Sequence, residues 1–99
     1  MTAETAAELT NRIENKLVEV HKLRRDLREL NQQLRVEVER LEGTEELARH
    51  GRSIRWEELE WEIICTESAI KGTIRELNEL QRQLLEVNSA GLPTKIASE

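Results

Sequence analysis

An uninterrupted heptad seam is the feature that most constrains the fold of this chain. No Gly or Pro occurs between residues 6 and 41, and mostly apolar residues recur there at the a and d heptad positions. The a positions are Ala6, Ile13, Val20, Leu27, Leu34 and Leu41, and the d positions are Leu9, Lys16, Leu23, Leu30 and Glu37. This spacing predicts a single helix over about residues 5–42. Because a narrow apolar stripe does not stabilise an isolated helix in water, a second helix is needed to cover it.

A second seam in the same chain provides that covering helix. Its positions are Trp56, Ile63, Ile70, Leu77 and Leu84 at seven-residue intervals, with Leu59, Thr66, Thr73, Leu80 and Val87 three residues after each. The pattern predicts a helix over about residues 54–88. The stretch 89–93 contains Ser, Gly and Pro, which end helices, so residues 89–99 are expected to form a loose tail.

Residues 43–53 are predicted to form a short structured elbow between the two helices. Gly43 suits the left-handed conformation that ends many helices, and Thr44 to Gly51 has the charge polarity of a one- or two-turn helix. Ser53 is a candidate N-cap for the second helix, and Thr5 with Glu8 forms a candidate capping box for the first. So short a connection returns the chain antiparallel. The predicted fold is all-α: residues 1–99 form one domain, a long antiparallel helical hairpin or two-helix coiled coil.

The matching of large with small residues and of opposite charges predicts the register of the hairpin. Facing residues should have numbers that total roughly 96, as interdigitated packing of the two seams requires. The expected pairs are Leu27 with Ala69, Leu30 with Thr66, Lys16 with Glu79, and Glu14 with Arg82.

A two-helix fold with this composition has a thin core, which favours self-association. Charged residues make up 35% of the chain and aromatic residues 2%, and several large apolar residues lie off both seams. The sequence therefore predicts a homodimer in which two hairpins close a four-helix bundle. The predicted interface residues are Trp61 and Ile64 with the small neighbours Cys65 and Ser68.

No group of residues in the sequence has the spacing of a catalytic or metal site. In the predicted register His21, His50 and Cys65 lie far from one another, so neither a Cys–His pair nor a metal cage forms. The acidic run from Glu57 to Glu62 has no histidine partner and is interpreted as a solvated face. We therefore expect a protein that is not an enzyme and needs no cofactor.

A basic patch on the first helix gives the alternative interpretation. Lys22, Arg24, Arg25 and Arg28 could contact a nucleic acid backbone, as in small helical-bundle regulators. Acidic neighbours dilute the patch, no aromatic residue lies among these side chains to stack on bases, and the net charge is −5. These features argue against a nucleic acid partner.

The expected function is that of a non-enzymatic coiled-coil interaction module, such as an adaptor, a chaperone or an assembly factor. Its partners would be a second copy of itself and another protein whose identity the sequence does not give. The chain contains no apolar run of membrane-spanning length, its first residues lack the features of a secretory signal, and its one cysteine cannot form an internal disulfide. These features predict a cytoplasmic protein with no membrane contact.

Overall fold

The computed structural model describes residues 5–91, apart from the side chains of Leu47, His50 and Ala90. The described residues form three helices, α1 (Ala6–Leu41), α2 (Glu45–His50) and α3 (Ile54–Gly91). The two long helices, α1 and α3, pack against each other as a hairpin, and α2 occupies the connection. The predicted all-helical hairpin with a short helical elbow is therefore confirmed.

The helix ends form where the capping residues predict them. Thr5 N–H donates to Glu8 Oε1 at 2.8 Å, and Glu8 N–H donates to Thr5 Oγ1 at 3.1 Å, which completes a capping box at α1. Gly43 and Gly51 have positive φ angles of 75° and 77°, which glycine adopts with little strain. Ser53 Oγ accepts a hydrogen bond from Trp56 N–H at 3.0 Å and so caps α3.

The carboxyl end of α3 lies three residues beyond the end that the sequence indicates. The helix continues through Ser89 to Gly91, whereas the prediction places its end at about residue 88. Ser89 and Ala90 do not exclude a helix, and the effect of a proline on its preceding residue does not extend back to position 91. The rest of the predicted tail, residues 92–99, lies outside the described residues.

Contacts divide the chain into two compact units, and the first contains described residues 5–20 and 72–91. Its core consists of seam residues from α1 and α3: Leu9, Ile13, Leu77 and Leu80, with Leu84 and Val87 packed against them. Both helices contribute to this core, as the two seams predict.

The ion pairs of the first unit differ from those expected. Lys16 Nζ lies 3.1 Å from Glu76 Oε1, one helical turn before the predicted partner Glu79. The predicted pair of Glu14 with Arg82 is also wrong, because the Arg82 guanidinium is bound by Glu79 and Glu86 on its own helix. Side chains three or four residues apart on one helix are already neighbours, so these local pairs form without any constraint from the other helix.

The second unit contains residues 21–71 and includes the elbow. Leu41 and Leu59 are fully buried in it, and Arg55 Nη2 donates to Gln33 Oε1 at 2.8 Å between α3 and α1. Ala69 is exposed, which contradicts its predicted packing against Leu27. It precedes the seam residue Ile70 by one position, about 100° around the helix, and so lies off the buried face.

Gly72 offers a position where an added methyl group should stabilise the protein. It lies in the interior of α3, and a Cβ built on it would meet nothing within 4 Å. Since glycine in a helix interior is about 1 kcal/mol less favourable than alanine, Gly72→Ala should raise the free energy of unfolding by about 0.5–1 kcal/mol. Thermal denaturation measures the change. Gly51→Ala is the control and should destabilise, because the φ of Gly51 is 77°; equal effects from the two substitutions would contradict the account.

Candidate interaction surface

The exposed apolar residues of the second unit include three that lie on one face of α3. Ile54 is 76% exposed, Trp61 is 65% exposed and Ile64 is 55% exposed. Positions 54 and 61 are one heptad apart and position 64 follows three residues later, so the three side chains share a face. We call these three residues the outer stripe. Trp61 follows the buried Leu59 by two residues, about 200° around the helix, which directs it away from the core of the hairpin.

All four residues predicted to form an interface lie on the exposed side of α3. Trp61 and Ile64 belong to the outer stripe, and Cys65 and Ser68 are exposed beside it. The small side chains of Cys65 and Ser68 would allow a neighbouring helix to approach closely. Ile54, which extends the stripe toward the elbow, was not among the predicted interface residues.

An open groove runs beside Trp61 between the two helices of this unit. Its volume is about 540 Å³. The lining residues are Asp26, Glu29, Leu30 and Gln33 from α1 and Trp61, Glu62, Cys65 and Thr66 from α3. Leu30 and Thr66, paired in the predicted register, share this groove. Three of its lining side chains are carboxylates and none is basic, so the groove adjoining the outer stripe is acidic.

Carboxylates without partners also flank the outer stripe. Glu60 binds the guanidinium of Arg52. In contrast, the side chains of Glu57, Glu58 and Glu62 form no ion pair or hydrogen bond with any residue that the structure describes. On α3, Trp61 therefore has carboxylates without a partner among the described residues one turn before it, at Glu57 and Glu58, and next to it, at Glu62.

A basic cluster lies on α1 in the same unit. His21, Arg24, Arg25 and Arg28 line a groove of about 390 Å³. Each of them lies three or four residues from at least one other, so the three guanidinium groups and the imidazole of His21 are neighbours on one helix face. Lys22, part of the predicted patch, does not line this groove, and His21 does so instead. Over residues 5–91, none of the four side chains forms an ion pair, although most arginines near the elbow do.

A polar network at the elbow was missed by the sequence analysis. Glu37 occupies a d position of the first seam and is only 8% exposed. Its carboxylate accepts hydrogen bonds from Arg40 Nη2 at 2.6 Å and from Ser53 Oγ at 2.7 Å. These two donors, the arginine first, lower the pKa of Glu37 to about 2. A carboxylate at a seam position was the signal for this network, because a buried charge requires partners on the facing elements.

Ser53 connects this network to the start of α3, and its substitution should show both roles. Ser53→Ala removes the N-cap and one donor to Glu37, and should lower the free energy of unfolding by about 1–2 kcal/mol. Thermal denaturation measures the loss. Asp caps helices as well as Ser does, but Ser53→Asp would place a second carboxylate beside Glu37 and should not restore stability at neutral pH. Full stability of Ser53→Asp at pH 7 would show that the contact with Glu37 is unimportant.

Other kinds of site receive no support from the part of the chain that is described. Within residues 5–91, no three or more His, Cys, Asp or Glu side chains come together in a way that could hold a metal ion. None of the described helices combines the length and the apolar character that crossing a bilayer requires. No protein-family model, curated protein or solved structure matches the chain.

Proposed function

We propose that this protein is a non-enzymatic coiled-coil interaction module that acts as a homodimer. Two hairpins would meet as a four-helix bundle and present a helical surface to a further protein, in the manner of an adaptor, a chaperone or an assembly factor. We place it in the cytoplasm, where the exposed thiol of Cys65 would stay reduced.

The exposure of the outer stripe is the observation that supports this proposal. Burial of a large apolar side chain contributes about 1.5–3 kcal/mol, and a monomer forfeits most of that contribution at Ile54, Trp61 and Ile64. Tryptophan is also a residue type that often carries much of the energy of an interface. The first unit also exposes Leu17, Val18 and Leu85, but these residues do not belong to the outer stripe.

Thermal denaturation over a range of protein concentrations tests the proposal. Unfolding of a dimer releases two chains, so dilution favours the unfolded state by mass action. We expect the melting temperature to rise by several degrees over about a hundredfold increase in concentration. A melting temperature that stays constant over that range would contradict self-association.

A second candidate function, binding to nucleic acid, is favoured by the basic cluster. Arg24, Arg25 and Arg28 form no ion pair with any residue that the structure describes, so their guanidinium groups could contact phosphates. The net charge of −5 makes this the second choice. Binding of labelled RNA and DNA at increasing salt tests it, with Arg49→Ala on α2 as a control for loss of charge alone. No binding at low salt would exclude this function.

A further inference from the structure

The second unit carries two exposed surfaces of opposite charge, and the charged side chains named for them form no ion pair with any residue in the range 5–91. The outer stripe has the unpaired carboxylates of Glu57, Glu58 and Glu62 around it, and the basic cluster on α1 has no carboxylate partner among residues 5–91. Like charges three or four residues apart destabilise a helix. Each surface therefore presents charge that a complementary surface would stabilise.

We propose that in the dimer the outer stripe of each copy covers the basic cluster of the other copy. This inference rests on the proposed function and adds to it the identity of the two surfaces in contact. Arginine fits the stripe in two ways: its guanidinium stacks on an indole such as that of Trp61, and it forms hydrogen bonds to carboxylates. The aliphatic stems of Arg24, Arg25 and Arg28 would cover apolar area on Ile54 and Ile64.

In a dimer with a two-fold axis this contact occurs twice, and no copy of either surface is left to bind a third chain. In a symmetric dimer, if residue i of one copy contacts residue j of the other, then j of the first also contacts i of the second. A dimer that packed stripe against stripe would instead place Glu57, Glu58 and Glu62 of the two copies near one another. That arrangement would bring like charges together and would leave both basic clusters unpaired.

Two charge-reversed variants test which surfaces meet. The first variant carries Arg24→Glu, Arg25→Glu and Arg28→Glu, and the second carries Glu57→Arg, Glu58→Arg and Glu62→Arg. Each variant alone should have a dimer dissociation constant about tenfold higher or more. In the first variant an acidic cluster would face the acidic stripe, and in the second a basic stripe would face the basic cluster. In an equimolar mixture, both contacts of a mixed dimer again join opposite charges. The mixture should therefore form a one-to-one dimer with close to the affinity of the unmodified protein.

The outcomes of this experiment separate the inference from the proposed function. If the first variant dimerises as tightly as the unmodified protein, the inference is wrong, but self-association stands. That result would favour a dimer in which the two outer stripes contact each other. Two variants that are both weakened and do not recover on mixing would also overturn it. An unmodified protein that is monomeric would refute both and would leave the two surfaces to a different protein. If a triple variant loses its helical circular dichroism signal, the single exchanges Arg28→Glu and Glu58→Arg take its place in the same mixing scheme.

Discussion

The substitution Trp61→Glu is expected to convert the protein from a dimer to a monomer. Trp61 is 65% exposed and central in the outer stripe, so in the proposed dimer its indole passes from water into the interface. Replacement by a carboxylate removes that apolar area and the indole on which the arginines of the other copy would stack. The new carboxylate would face those arginines, but one such ion pair contributes less than about 1 kcal/mol and does not replace the indole. Loss of a central tryptophan anchor costs about 2 kcal/mol or more, so the dissociation constant should rise by at least about 30-fold. Size-exclusion chromatography with light scattering measures the change.

Two control variants make this prediction specific to the position. Trp61→Phe keeps an aromatic ring and should weaken the dimer much less. Val18→Glu places the same charge at a residue that is 67% exposed in the first unit, outside the proposed contact. Equal dissociation by Trp61→Glu and Val18→Glu would show that added negative charge, and not the loss of the stripe, separates the copies.

Leu9→Ala is expected to cause the largest loss of stability among the single substitutions considered. Leu9 is 1% exposed and belongs to the core cluster with Ile13, Leu77 and Leu80. Truncation of a fully buried leucine costs about 2–5 kcal/mol, from the lost transfer free energy and the cavity left behind. The melting temperature should fall by about 10 °C or more.

The matched control for this substitution is Leu17→Ala on the same helix. Leu17 is 41% exposed, so the same truncation removes less buried surface and leaves no enclosed cavity. Its effect should be well under half that of Leu9→Ala, measured by the same thermal melts. Equal losses at the two positions would show that the packing assigned to the first unit is incorrect.

The helices, and their ends other than the carboxyl end of α3, could be predicted from the sequence because the signals for them are local. The seams fix which residues face inward, and Leu9, Leu41 and Leu59 are buried as their heptad positions require. The glycines at 43 and 51 end elements by a property of their own backbones. Such features depend on a few consecutive residues and on no distant partner.

The polar contacts between helices were predicted poorly, because a long charged side chain can reach several alternative partners of opposite charge. Lys16 reaches Glu76 and not Glu79, and the guanidinium of Arg82 is bound by neighbours on its own helix. Exposed ion pairs contribute less than about 1 kcal/mol each, so they do not select one register over another a turn away. The two charged residues at d positions, Lys16 and Glu37, were better indicators, since each binds a polar group that α3 or the elbow brings to it.

From the sequence alone, the candidate interface could be located and a second copy predicted as its partner, but the surface of that copy that it contacts could not be predicted. The heptad pattern places Trp61 and Ile64 off the seam, which is enough to predict that they are exposed. Whether nearby charges are already paired depends on side-chain contacts in the folded chain. The structure shows that Glu57, Glu58 and Glu62 beside the stripe form no ion pair among residues 5–91. It shows the same for the side chains of the basic cluster.

Sedimentation equilibrium of the unmodified protein at micromolar concentration tests self-association most directly. The mass of the chain is 11.5 kDa, so a dimer is expected to give about twice that value, with dissociation on dilution. A folded, helical species that remains at 11.5 kDa over the whole concentration range would contradict the proposed dimer.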